Sequence, residues 1–179
     1  LGVVFTPTRN TALSFDWYNI KLDNLVGTNN IASVVEANDP ADVVRDSRGK
    51  LQAVYNRYQN LTSLETSGID VDFNHRWDAG DAGLIVLSSA YTHVLKYERP
   101  NTVGGRIFDY AGTNRGATLP AHKATTRVSW SRNAFDANLT WYYTSGYDQE
   151  PVVGAQERVD SYNQFDAYLG WAATEKVRV

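Results

Sequence analysis

Apolar and polar residues alternate with a period of two through most of the chain, the pattern of strands whose two faces meet different surroundings. From Thr11 the run TALSFDWYNIKLD sets Leu13, Phe15 and Trp17 against Ser14, Asp16 and Tyr18. The cleanest run, GIDVDFNHRW, sets Ile69, Val71, Phe73, His75 and Trp77 against Asp70, Asp72, Asn74 and Arg76. A weaker alternation places Ile85, Leu87, Tyr91, Leu95 and Tyr97 in one phase. Between His122 and Arg132 the phases are Ala124, Thr126, Val128 and Trp130 against Lys123, Thr125, Arg127, Ser129 and Ser131. Next, Ala137, Leu139, Trp141, Tyr143 and Tyr147 oppose Asn138, Thr140, Tyr142 and Thr144. The last full run sets Phe165, Ala167, Leu169 and Trp171 against Gln164, Asp166, Tyr168 and Gly170. Pieces at Gly2–Thr6 and Lys176–Val179 read as cut ends of two more strands, giving about eight in residues 1–179.

The connections alternate in length. Short ones are expected at Pro7–Asn10, Asp78–Gly83, Asn133–Asp136 and Ala172–Glu175. Long ones are expected from Asn24 to about Ser67, from Arg99 to about Pro120 and from Asp148 to about Glu157. Tight turns therefore gather at one end of a meander and large loops at the other, the asymmetry of an outer-membrane barrel. In the first loop, Asn29-Asn30 ahead of Ile31, Val34 and Val35 predicts a short capped helix, and Leu51–Asn60 an outward extension of the following strand. The expected fold is all-β, an antiparallel up-and-down meander forming part of a large transmembrane β-barrel.

All five tryptophans, Trp17, Trp77, Trp130, Trp141 and Trp171, fall in the apolar phase, and Trp77, Trp130 and Trp171 lie beside short turns. An indole has an apolar body and one N–H, which suits headgroup depth. Trp77, Trp130 and Trp171 are expected to form one girdle of a lipid-interface belt, with Tyr97 and Tyr143 in its counterpart at the loop end. The opposite phase, with Asp70, Asp72, Asn74, Arg76, Lys123, Arg127, Gln164 and Asp166, is too polar for a packed core. These residues are expected to face a wet lumen, the charged ones in a structural network along its wall.

Composition narrows the function. The chain has no cysteine, which excludes disulfides, Cys-ligated metals and cysteine catalysis. A net charge of −3 from 17 basic and 20 acidic residues offers no footprint for nucleic acid. The longest aliphatic run, Leu84–Leu87, is far short of the roughly 20 residues that a membrane helix needs. The chain begins with Leu and no leader follows, so it reads as an excerpt or mature fragment.

The order of four stretches, TALSFDWYNIKLDNLV, YNRYQNLTSLETSGIDVDFNHRW, LPAHKATTRVSWSRNAFDANLTWYYTSGYD and VDSYNQFDAYLGW, resembles the C-terminal half of the barrel of a TonB-dependent outer-membrane receptor. The most specific element is Asn60 followed by Glu65-Thr66-Ser67-Gly68-Ile69-Asp70, similar to the family's Asn-then-Gly-Ile-Asp strand start. The resemblance implies a barrel of about 22 strands around an N-terminal plug, importing scarce ligands with energy relayed from the inner membrane. It implies as partners the bacterial outer membrane's lipid, a small-molecule ligand (ferric siderophore, vitamin or oligosaccharide) and, through the plug, an inner-membrane energy-coupling protein. The plug, the energy-coupling box and the earlier strands are not in this sequence, so transport by this piece alone is not expected.

No nucleophile elbow, His-Glu-x-x-His or Walker loop occurs, so no enzyme is expected, and no cofactor. His75, His93 and His122 fall in or beside the outward phase and are not expected to converge on a metal. DAGDAG and DPADVVRD lack the spacing of a calcium loop and read as solvated turns. Loops carry recognition more often than walls do, which makes Arg45, Arg48, Tyr97, Arg99, Arg106, Tyr110, Arg115 and Tyr147 the expected ligand contacts. Two alternatives share parts of the pattern: a passive porin-like channel, and a soluble carbohydrate-binding β-sandwich with its tryptophans in a core or groove.

Overall fold

The computed structural model describes residues 1–60, 63–100, 105–114, 118–149, 157–174 and 177–178. Two compact units result: Leu1–Tyr18, Ser67–Leu95 and Ala111–Val179 form the first, Asn19–Thr66 and Lys96–Tyr110 the second.

The alternating runs become one long sheet of β1 (Gly2–Thr8), β2 (Thr11–Asp23), β3 (Ser63–Asp78), β4 (Leu84–Pro100), β5 (His122–Arg132), β6 (Phe135–Thr144), β7 (Tyr162–Thr174) and β8 (Val177–Arg178). Their order in the sheet is their order in the chain, an up-and-down meander. The pairs β1/β2, β4/β5, β5/β6, β6/β7 and β7/β8 are antiparallel. Two-residue hairpins set much of the register. Asn133-Ala134 closes β5 on β6, with Arg132 opposite Phe135, and Asn133 takes a left-handed φ of 51°, which asparagine tolerates better than most residues. At the first turn, β1 continues through Pro7 to Thr8, and only Arg9-Asn10 turn. The β1/β2 register shifts between Phe5 and Thr8. Proline has no N–H to give the ladder, so an irregular stretch of an edge strand accommodates it.

Backbone pairing holds the first unit together, and its described residues build no hydrophobic core. The buried apolar residues Val34, Val43, Leu64 and Tyr110 all lie in the second unit. On the sheet, by contrast, Val3, Phe5, Phe15, Leu139, Phe165, Leu169 and Trp171 are exposed. A soluble sandwich would bury one such face beneath a second sheet. Among the described residues the sheet has no second long sheet against either face.

The second unit is built from loop residues. Asn30 caps helix α1 (Ile31–Ala37) by accepting from the Ala32 N–H at 2.8 Å, and Asn38 ends it in the left-handed conformation. Val43–Arg45 pairs with Leu51–Val54 as a separate hairpin. The expected outward extension of β3 over Leu51–Asn60 is therefore not formed. Gln59–Asn60 pairs instead with Val26–Gly27, while Ile107–Asp109 adds to the end of β4 opposite Glu98–Pro100.

Candidate functional site

Register sorts the sheet's side chains onto two faces. One carries the row Ser88, Arg127, Thr140 and Asp166, and beside it Thr92, Lys123 and Thr144. Asp70 joins this face by accepting the Thr92 hydroxyl at 2.6 Å, and Asp72 by accepting the Ser14 hydroxyl at 3.2 Å. Gln164 donates to Asp166 at 3.0 Å, and the Arg127 Nε–H donates to Thr140 Oγ1 at 3.1 Å. The expected lumen residues on these strands thus share one face. The expected ionic network does not form: among the described residues no ion pair joins Asp70, Asp72 or Asp166 to Arg76, Lys123 or Arg127. Hydroxyls and an amide serve the carboxylates instead, because neighbouring strands bring Ser and Thr opposite them. A concavity of about 220 Å³ opens here between Asp72, Asn74, Ser88, Thr125 and Arg127. A larger one of about 610 Å³ lies by the first turn, lined by Thr6, Thr8, Arg9, Asn74 and Arg76 among others.

The other face is apolar and banded. Nearest the short turns, Phe135 stacks on Trp171 with ring centroids 6.3 Å apart. The next row holds Ile85, Trp130, Ala137 and Leu169. The Trp130 indole donates to the Ala82 carbonyl at 2.8 Å, and Trp77 sits one residue before the end of β3. Farther along come Leu87, Val128, Leu139 and Ala167, then Ser89, Thr126, Trp141 and Phe165, then Tyr91, Ala124, Tyr143 and Asn163. Trp141 donates to Asn163 Oδ1 at 2.9 Å and tilts against Tyr143 at 5.8 Å. Tyr97 stands six residues beyond Tyr91 on β4 and does not share the Tyr143 row. There its N–H donates to Asp109 Oδ1 and its carbonyl accepts from the Tyr110 N–H.

The expected ligand contacts fall in separate places. Arg99, Arg106 and Tyr110 come together: the Arg99 guanidinium lies 4.9 Å over the Tyr110 ring, and Arg106 lies 5.4 Å over Phe108, the cross-strand partner of Arg99. Tyr110 is buried, and Arg99 Nε is buried with no hydrogen-bond partner. Phe108 is the member that sequence reasoning missed, since only the pairing of Ile107–Asp109 with β4 places it there. Arg45 is structural, donating to Asn38 Oδ1 at 2.9 Å and to the Gly49 carbonyl at 3.1 Å. Arg48 sits exposed in the same turn, whose N–H groups at Arg48 and Lys50 are taken by Asp46. Tyr147 pairs with Val159 in the first unit, and Arg115 lies outside the described residues.

Near the Arg99 cluster, Lys96 pairs with Glu65 at 3.3 Å and Glu98 at 3.4 Å. The hydrogen bonds it donates to these carboxylates, then their charge, raise the Lys96 ammonium above the ordinary lysine value. Among the described residues no three His, Cys, Asp or Glu side chains gather as a metal site. His75 bonds Thr11 Oγ1 at 2.8 Å. His93 and His122, whose pairing the alternation does not reveal, are cross-strand partners. No local signal reveals that pairing, because a long loop separates their strands.

The model of the TonB-dependent receptor-like β-barrel family matches residues 1–179. The chain has no match among curated proteins. Among solved structures it is similar to a doubly substituted ferric enterobactin receptor, PfeA, from Pseudomonas aeruginosa, with TM-score 0.66 and 12% identity over 99% of this chain and 23% of that one. A singly substituted PfeA in complex with enterobactin gives TM-score 0.66 and 11% identity over 99% and 24%. The siderophore receptor PirA from Acinetobacter baumannii gives TM-score 0.61 and 11% identity over 97% and 25%. The chain spans about a quarter of the length of these structures, and at such identities the likeness is one of fold. With the family model covering it from end to end, the chain belongs to the TonB-dependent receptor-like β-barrel family.

Proposed function

We propose that this chain is part of the wall of an outer-membrane receptor that captures a scarce ligand and imports it with energy from the inner membrane. The observation that carries the reading is the coreless sheet: one face apolar and banded by aromatics, the other hydroxylated and charged, both open, in a chain of this family. The apolar face suits bilayer contact, with Trp77, Trp130 and Trp171 at one interface and Tyr143 toward the other. The polar face suits a water-filled lumen around a plug contributed by the rest of the receptor. The edge strands β1 and β8 would then pair with further strands, since lipid does not tolerate free backbone groups.

Ligand capture falls to the long-loop end. Arg99 and Arg106 stacked on Tyr110 and Phe108 present two guanidinium groups there, and a guanidinium face on an aromatic leaves its N–H edge for an acceptor. The similar structures named for ferric enterobactin and for siderophores favour a ferric siderophore over a vitamin or an oligosaccharide. The steps are binding, loop closure and plug rearrangement, with no covalent chemistry.

Deleting the gene in its host and feeding iron-55-loaded siderophores under iron restriction tests the reading, with labelled cobalamin and a maltooligosaccharide in parallel. Uptake of a siderophore that disappears on deletion and on collapse of the inner-membrane proton gradient is the expected result. Uptake that survives de-energisation favours a passive channel, and no change with any ligand overturns the proposal.

A further inference from the structure

His93 of β4 and His122 of β5 face each other directly across the strands, their ring centroids 4.1 Å apart and their planes inclined by 29°. The adjacent pair is closed by the Val94 N–H donating to the Ala121 carbonyl at 2.8 Å. The two histidines therefore occupy the non-hydrogen-bonded position of the ladder, where side chains come closest. With metal–nitrogen bonds of about 2.0–2.1 Å, two nitrogens of a tetrahedral centre lie roughly 3.3 Å apart. Both rings are half-buried, and the terminal torsion of an imidazole is broad, so His93 has room to reorient toward the ring of His122, which Tyr91 holds, when an ion binds.

A second contact sets the chemistry of the pair. Tyr91 Oη lies 2.8 Å from His122 Nδ1, and the two rings stack 6.1 Å apart. With Nδ1–H donating to the phenol oxygen, the lone pair of His122 Nε2 is free for a ligand bond, the outer-shell arrangement that orients metal-binding imidazoles. Among the described residues no third His, Cys, Asp or Glu joins the pair, which leaves the other coordination positions to water. His75 is engaged with Thr11 toward the short-turn end and takes no part.

We propose that His93 and His122 together bind one divalent transition-metal ion, with Tyr91 as the positioning residue for His122. The ion staples β4 to β5 where no turn joins them, since the connection between these strands is a long loop. Two imidazoles with open positions follow the general order of divalent affinities, so Cu²⁺ binds more tightly than Ni²⁺ or Zn²⁺.

The test uses the complete receptor containing this chain, purified in detergent, stripped with a chelator and titrated with Cu²⁺ by calorimetry and by electron paramagnetic resonance. The expected result is a bound equivalent whose spectrum shows two imidazole nitrogens and whose affinity falls at least tenfold in His93→Gln and in His122→Gln. Tyr91→Phe keeps both nitrogens and weakens binding, by about tenfold at the low end of outer-shell effects, and His75→Gln leaves binding unchanged. A stoichiometry and spectrum identical in the His93→Gln, His122→Gln double variant overturn the proposal, as does a wild-type receptor that takes up no ion. Should the variants fail to fold, carbethoxylation of the folded wild type is read by mass spectrometry. Cu²⁺ then protects His93 and His122 together but not His75, and equal modification with and without metal overturns the assignment.

Discussion

Placing a positive charge at Leu139 separates a lipid-facing sheet from any arrangement that leaves this face in water. Leu139 is 50% exposed and sits four residues from Phe135 and four from Tyr143 on β6, midway between the aromatic rows. The eight steps from Phe135 to Tyr143 span about 27 Å along the strand at roughly 3.4 Å per residue. At the usual barrel tilt of 35–45° this becomes about 20 Å across the membrane, close to the height of a barrel's apolar band. Leu139→Arg therefore puts a guanidinium near the bilayer midplane, where it costs about 2–4 kcal/mol. That is a loss of roughly 30-fold to 700-fold in the folding equilibrium. Tyr143→Arg, near the interface, costs about 0–1 kcal/mol. Asn138→Arg, one residue away on the polar face, is expected within about 1 kcal/mol of wild type. The assay is a urea titration of the receptor folded into phospholipid vesicles, read by tryptophan emission. A Leu139→Arg variant within about 0.5 kcal/mol of wild type, the usual range for a surface change in water, refutes the assignment of this face to lipid.

Other consequences are as direct. A Cβ on Gly68 would lie 2.6 Å from the His93 carbonyl oxygen as well as against the Tyr18 ring. Gly68→Ala is therefore expected to lower the urea midpoint by the equivalent of about 1–3 kcal/mol, as overpacking does, and an unchanged midpoint would show that β3 and β4 can part without cost. The raised Lys96 contributes stability fully present below the ordinary lysine value of about 10.4 and lost as pH rises through its higher folded value. Wild type should thus lose stability relative to Lys96→Met only as pH climbs from the ordinary value through the raised one, which a stability series from pH 8 to 11.5 checks. Arg99→Gln and Tyr110→Ala are each expected to weaken ferric siderophore binding at least tenfold in a fluorescence-quenching titration, about 1.4 kcal/mol. Binding equal to wild type in both would move recognition away from this cluster.

The strands were legible because each declares its phase locally. Leu139, Trp141 and Tyr143 alternate with Asn138, Thr140 and Tyr142 in sequence as they do across the sheet. Short hairpins extend that legibility to register, since closing Asn133-Ala134 forces Thr126 opposite Trp141 without any further information. The long connections break it. His93 meets His122 only through a register that no turn sets, and Phe108 joins Arg99 because three residues of a loop return to the end of β4. Leu51–Val54, which the sequence predicts to prolong β3, pairs instead with Val43–Arg45 across a tight turn held by Asp46. On the polar face, Arg127, Thr140 and Asp166 share a row, as their alternation implies, but the carboxylates bond hydroxyls and an amide rather than cations. Alternation reveals which side chains share a face, whereas the choice of Ser14 for Asp72 and Thr92 for Asp70 depends on which strands lie side by side.

The central claim is that this sheet separates lipid from water, and a nitroxide scan of β6 measures it most directly. The chain contains no cysteine, so single cysteines placed from Phe135 to Thr144 are unique labelling sites within it. In vesicle-embedded receptor, the odd positions from 135 to 143 are predicted to be accessible to oxygen, with a maximum at 139. The even positions are predicted to be accessible to a water-soluble nickel chelate. A scan without the period of two, or with the chelate reaching 137, 139 and 141 as readily as 138, 140 and 142, would contradict the account.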